Sequence, residues 1–143
     1  MIDIFCEWFE GAWSNEKQAY SNPRSAALVD VIHRRGENYE FQCSYKYRHR
    51  NPKKPYREYN AQILNDDGRL IVKNSGHDLI FRLQTGAFVS KSSSVRENIL
   101  YTWEAYLGPT HYYVMDRALD LSNKKLLRGL EGEEFFEFDR FVK

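Results

Sequence analysis

The chain has 143 residues, the length of one domain, here read as 1–143. Its 42% hydrophobic and 29% charged residues exclude disorder by composition, and no stretch approaches the roughly 20 apolar residues of a membrane-spanning helix. With 21 basic and 20 acidic side chains the net charge is +1, which gives no global pull toward nucleic acid or an anionic membrane.

Aromatic content is the unusual quantity, at 15% of residues. A small domain can spend that excess on its core or on lining a cavity for a large flat ligand.

In chain order, Ile2, Phe5, Phe9 and Trp13 recur near helical spacing, which predicts a short amphipathic helix from Ile2 to about Trp13. Asn15 with Gln18 three residues later resembles a capping box and predicts a second helix over Glu16 to Tyr20, ended by Asn22-Pro23. Period two then dominates. Leu28 to His33 reads as a strand, and from Tyr39 to Tyr47 the alternation is strict, with Tyr39, Phe41, Cys43, Tyr45 and Tyr47 on one side.

After Pro52 and Pro55, Tyr56 to Leu64 resumes as a strand, and Asn65-Asp66-Asp67-Gly68 is a strong hairpin signal. Arg69 to Asn74 returns, Ser75-Gly76 turns, and Leu79 to Leu83 forms another strand. The serine-rich stretch from Thr85 to Arg96 reads as a turn or loop. Asn98 to Leu107 follows, with Ile99, Tyr101, Trp103 and Ala105 on one side. Gly108-Pro109 turns the chain into Thr110 to Met115, continued by Asp116 to Leu121, and Phe135 to Phe141 closes as a last strand. Many short strands at hairpin spacing after a helical start predict an antiparallel barrel or sandwich. A closed barrel of this kind has room for one small ligand.

Cys6 and Cys43 form no CxxC pair, which fits a reduced, cytoplasmic protein without disulfides. The start carries Asp3, Glu7 and Glu10 and no basic residue before Arg24, unlike a secretory signal. His33, His49, His77 and His111 lack ligand spacing, so no metal site is expected, and neither a P-loop nor a GxGxxG is present. Lys46 to Arg57 holds six basic residues, His49 and two tyrosines, a mixture that suits single-stranded nucleic acid, a solvated loop or a surface for an acidic partner. Glu131, Glu133, Glu134, Glu137 and Asp139 offset it near the other end.

Three segments in order carry a family resemblance: FEGAWSNEKQAYSNP from Phe9 to Pro23, YEFQCSYKY and KKPYREY between Tyr39 and Tyr59, and THYYVMDRALD from Thr110 to Asp120. Together they resemble the T-type phycobiliprotein lyases, the CpcT/CpeT family, in the short form carried by cyanophages. Pro55-Tyr56-Arg57 and Asp116-Arg117 with Asp120 are the most specific pieces. The sequence departs from the family at Gln42-Cys43, where a Glu-Gln pair is usual, at Tyr59 in place of a second Arg, and at Ala118 in place of Gly.

The resemblance implies a calycin/lipocalin-like antiparallel β-barrel holding an open-chain tetrapyrrole, such as phycoerythrobilin, as ligand and substrate with no further cofactor. It implies attachment of that bilin through a thioether to a cysteine of a phycobiliprotein β-subunit, in the cytoplasm of a cyanobacterium or of a phage-infected one, by a protein that can form a homodimer. Neither a membrane nor a nucleic acid is an expected partner on this reading.

The ligand's chemistry then assigns roles. A guanidinium, Arg57 or Arg117, grips a propionate with paired hydrogen bonds. Asp116, with Asp120 as the second candidate, faces the pyrrole N–H groups and favours the protonated, more electrophilic chromophore. Tyr45, Tyr56 and Trp103, joined by Tyr101, cover the conjugated face, and Gln42 belongs to the contacting set. The nucleophilic thiol belongs to the acceptor, so neither Cys6 nor Cys43 is required.

Plainer readings exist for each feature. Asp116-Arg117 reads equally as a surface ion pair, Pro55-Tyr56-Arg57 as a strand start, the tyrosine row as core, and Trp13, Asn15 and Gln18 as packing and cap. For the whole chain, a non-catalytic bilin carrier and a small nucleic-acid-binding barrel are the competing functions.

Overall fold

The computed structural model describes residues 1–21, 27–49, 54–74, 78–130 and 135–141. The Asn22-Pro23 stop, Arg50 to Lys53 with Pro52, the Ser75-Gly76 turn, His77, and Glu131, Glu133 and Glu134 lie outside those residues.

Elements run α1 (Ile2–Phe9), β1 (Gly11–Ser14), α2 (Glu16–Ser21), β2 (Val29–Arg35), β3 (Glu40–Tyr47), β4 (Arg57–Asp66), β5 (Arg69–Lys73), β6 (Leu79–Gln84), β7 (Ala87–Arg96), β8 (Ile99–Leu107), β9 (His111–Asp120), β10 (Leu126–Arg128) and β11 (Phe136–Arg140). All strand pairs are antiparallel. The order β9-β11-β1-β2-β3-β4-β5-β6-β7-β8 closes on itself through the β8–β9 pairing, while β10 extends along the free part of β9. Among the described residues the fold is a closed ten-strand antiparallel barrel with two short helices, as the strand count and the resemblance predicted.

Turn chemistry sets the hairpins. Asp67-Gly68, Thr85-Gly86 and Glu97-Asn98 all hold positive φ at both central residues, the geometry whose twist matches flanking strands. The second of these overturns an expectation. Thr85 to Arg96 is not a loop: Thr85-Gly86 is a tight turn, and Ala87–Arg96 is a ten-residue strand. Its inward positions are Phe88, Ser90, Ser92 and Ser94, so hydrophobicity is low where the strand faces a polar interior.

The first helix also ends earlier than its periodicity suggests, at Phe9, and Trp13 belongs to β1. Gly11 has a φ of 136°, and a Cβ there would lie 2.5 Å from Arg140 Nη1. Arg140 donates to the carbonyls of Trp8 and Glu10 at 2.7 Å each and to Pro109 at 3.0 Å, which caps the helix C-terminus from β11. Asn15 is likewise no simple cap. Its side chain accepts from Val29 N at 2.7 Å and donates to Ala27 O at 2.8 Å, while Gln18 accepts from Glu137 N at 3.0 Å and donates to Phe135 O. The pair therefore stitches α2 to β2 and to the start of β11.

One end of the barrel is filled. The buried face of α1, Phe5, Cys6 and Phe9, lies across it. Phe5 packs on Phe81 and Phe88 at ring distances of 5.2 and 5.1 Å, and Phe9 stacks on His33 at 3.9 Å and meets Phe41 edge-on. Trp13 and Tyr112 close the layer above, 5.8 Å apart. Burial of this many aromatic side chains supplies the main stabilising term. Toward the opposite end of the barrel the described residues leave a cavity.

Candidate functional site

Strand parity decides what faces this cavity. On β3, Tyr45 and Tyr47 point inward above Cys43; directly opposite, Arg57 pairs with Tyr45 and Tyr59 with Cys43. On the far wall Trp103 of β8 pairs with Asp116 of β9. Of these, Tyr45, Tyr47, Arg57, Trp103 and Asp116, with Tyr56, Val114, Arg128, Leu130, Phe136 and Phe138, line a cavity of about 540 Å³. A lobe of about 130 Å³ adjoins it, sharing Arg57, Trp103, Asp116 and Arg128 and adding Ser92, Ser94, Arg96 and Tyr101. The larger volume lies inside the roughly 300–1,000 Å³ range of small-molecule sites.

The aromatic wall is continuous. Tyr47 stacks on Tyr56 at 4.3 Å, and Tyr45 meets Tyr56 at 6.2 Å and Tyr59 at 6.4 Å. Trp103 Nε1 donates to Ser90 Oγ at 3.2 Å, which fixes the indole plane. The Arg57 guanidinium lies 5.7 Å from the Tyr45 ring centre and 5.3 Å from that of Tyr59.

The charged centre is a carboxylate held from both sides. Arg57 Nη1 donates to Asp116 Oδ2 at 3.3 Å, and Arg128 Nη2 donates to Asp116 Oδ1 at 3.0 Å. All three remain partly open to the cavity, so the pairs are screened and exchangeable.

Arg128 had no signal in the sequence. It sits on β10, a three-residue strand, and a bulge brings it inward. Leu126 pairs with Leu119 and Arg128 with Ala118, so Leu127 is the extra residue. Regular pairing would set Arg128 opposite Arg117 on the outer face; the bulge sets it opposite Ala118, on the side of Asp116. Gly129 makes the close approach possible. Its φ is 103°, and a Cβ there would fall 2.7 Å from the Asp116 carbonyl oxygen.

Below the cavity lies a neutral hydroxyl layer. Burial raises the pKa of Tyr45, and raises those of Tyr59 and Tyr112 well above the ordinary tyrosine value. Burial also pushes the Cys43 thiol up to about 12 and the Cys6 thiol up to about 11. Neither sulfur is a thiolate nucleophile at neutral pH.

The structure brings Tyr45, Tyr56, Arg57, Trp103 and Asp116 together around the cavity and Tyr101 into its side lobe. Three other sequence candidates fall elsewhere. Arg117 follows Asp116 on β9 and therefore takes the opposite, outer face, so the guanidinium beside the carboxylate is Arg128 instead. Gln42 also faces outward, donating to Glu58 Oε1 at 3.1 Å and lining a shallow polar groove with Arg34 and Asn60. Asp120 closes the turn after β9, accepting from Ser122 N at 2.9 Å and Ser122 Oγ at 2.6 Å; those bonds lower its pKa.

Parts of the basic run from Lys46 to Arg57 are likewise engaged in the fold. Arg48 makes two hydrogen bonds to Asp30, at 2.9 and 2.6 Å, and pairs with Glu16, while Arg57 is committed to Asp116.

No protein-family model matches the sequence, and no curated protein matches it. Solved structures do. The fold matches the T-type phycobiliprotein lyase CpeT from Prochlorococcus phage P-HM1 with a TM-score of 0.82 and 31% identity, over 99% of this chain and 98% of that one. It also matches the CRL protein of Arabidopsis with a TM-score of 0.73 over 98% and 97% of the two chains, a likeness of fold alone at 11% identity. Identity near one residue in three, sustained from end to end of both proteins, places this chain in the T-type phycobiliprotein lyase family.

Proposed function

We propose that the protein binds an open-chain tetrapyrrole in the aromatic cavity and attaches it, through a thioether, to a cysteine of a phycobiliprotein β-subunit. The observation that carries this reading is the Arg57–Asp116–Arg128 group set into a tyrosine- and tryptophan-lined hollow. Rings cover a conjugated face by burial and dispersion, and guanidiniums take propionates. The Asp116 carboxylate accepts hydrogen bonds from pyrrole N–H groups and favours the cationic chromophore by its charge.

The reaction is addition of the acceptor's S–H across the bilin's ethylidene double bond. The S–C bond forms at the ethylidene carbon, and hydrogen ends on the neighbouring ring carbon. Nothing leaves and nothing is oxidised. The protein's contribution is to fix one face and one conformation of the bilin and to hold its charge. With both of its own thiols protonated and buried, the nucleophile comes from the partner.

A second reading, a carrier that hands over bilin without accelerating attachment, is favoured by one observation. Tyr59, which stands where the family has a second Arg, has its hydroxyl in the buried neutral layer and supplies no charge. Incubating bilin-loaded protein with apo β-subunit and then denaturing the mixture separates the two. Colour retained covalently on the subunit, as one stereoisomer and faster than with free bilin, supports the lyase. The same rate and isomer mixture as free bilin supports the carrier.

A further inference from the structure

The side lobe has a charge excess that the cavity reading leaves unused. Three guanidiniums, Arg57, Arg96 and Arg128, border it against the single carboxylate of Asp116, so its described lining residues carry two uncompensated positive charges. Arg57 and Arg128 are already on Asp116. Arg96 has no ion pair among the described residues and is held only over the Tyr101 ring, with its Cζ 4.6 Å from the centroid. The Arg128 guanidinium lies 5.8 Å from the same ring, so Tyr101 spaces two cations around one small hollow. The third side is polar. Ser92 and Ser94 pair across the sheet with Trp103 and Tyr101 and line the lobe with them.

The lobe has the groups for one carboxylate: two guanidiniums to grip it and two hydroxyls to donate.

We propose that this lobe is a second carboxylate subsite, and that Arg96, with Arg128, is a specificity-determining residue that makes the protein select bilins carrying two free propionates. Building on the bilin reading above, one propionate lies at Arg57 in the main cavity and the other reaches past Trp103 into the lobe. Arrival of that carboxylate draws Arg128 from Asp116 Oδ1, which frees one carboxylate oxygen for the pyrrole N–H groups. Ligand charge is thereby coupled to readiness of the site.

The test uses biliverdin and its dimethyl ester as probes, titrated by absorption into the full chain and into Arg96→Gln. Wild type should bind biliverdin at least tenfold more tightly than the ester. Arg96→Gln should weaken biliverdin about tenfold and leave the ester unchanged, so the two losses do not add. Arg96→Lys, which keeps the charge without the planar fork, should fall between them. Equal discrimination in wild type and Arg96→Gln, with biliverdin still bound, would overturn the second subsite and leave the bilin reading standing. A wild type that binds neither probe overturns both. Thermal melts of both variants should match wild type, since Arg96 makes no ion pair within the described fold.

Discussion

Arg128 reaches Asp116 because of a bulge at Leu127 and a glycine at 129, not through strand regularity. Its Nη2 stands 3.0 Å from Asp116 Oδ1, and the opposite oxygen belongs to Arg57. A carboxylate so placed organises two cations at the cavity wall.

Replacing Asp116 by Asn separates charge from shape. The amide keeps the shape and loses the charge that favours a cationic chromophore. Bound biliverdin should absorb at shorter wavelength in D116N than in wild type, with affinity reduced less than tenfold because both guanidiniums remain. An absorption titration reads both quantities, and a wild-type spectrum would remove Asp116 from the site.

Gly129→Ala tests the close approach. The added Cβ meets a backbone carbonyl at 2.7 Å with φ at 103°, so β10 must move. The expected cost is about 1–3 kcal/mol of stability. Arg128 should be displaced with the strand, so bilin binding should weaken as it does in Arg128→Gln. Urea unfolding and absorption titration of the two variants side by side check both effects.

His33 gives a pH dependence of the same sign as a carboxylate with a lowered pKa, although its favoured folded form is the neutral one. Burial lowers its pKa from 6.5 to about 4, and the neutral ring is hydrogen-bonded through Nδ1 to Phe9 O at 2.8 Å. As pH falls, the unfolded chain takes the proton first. Stability is therefore fully present above 6.5, declines as pH drops through the interval, and levels off below about 4. The contribution is roughly 3 kcal/mol. Urea unfolding at several pH values should show this slope in wild type and a flatter one in His33→Leu.

The cysteines should be silent. With thiols pushed up to about 11 and 12, Cys6 and Cys43 should resist iodoacetamide in the native protein at neutral pH and react once it is unfolded in urea. Cys43→Ser should still bind bilin. Rapid labelling of either native thiol would contradict the account of the cavity floor.

What could be read from the sequence follows the range of the signal. Strict alternation and the Asp67-Gly68 turn are local signals; the turn appears as expected, and the alternation holds over Glu40–Tyr47, while Tyr39 sits in the preceding turn with a φ of 65°. Tyr45, Arg57, Trp103 and Asp116 converge because each occupies an inward position of a regular strand. Gln42 and Arg117 fail on the same parity, one residue out of step with the inward rows. The serine strand was missed because polar side chains face a polar hollow, which erases the hydrophobic contrast on which strand patterns depend. Arg128 was missed because a bulge inverts parity, and nothing local in Leu126–Arg128 announces one. The early end of α1 was missed because its cause, Arg140, lies 129 positions beyond Gly11 and at the other end of the chain.

The most direct measurement is an absorption titration of the purified protein with free phycoerythrobilin. A red-shifted, sharpened band that saturates at one bilin per chain is the expected result. A spectrum identical to that of the free bilin at every ratio would contradict the claim that this hollow is a tetrapyrrole site.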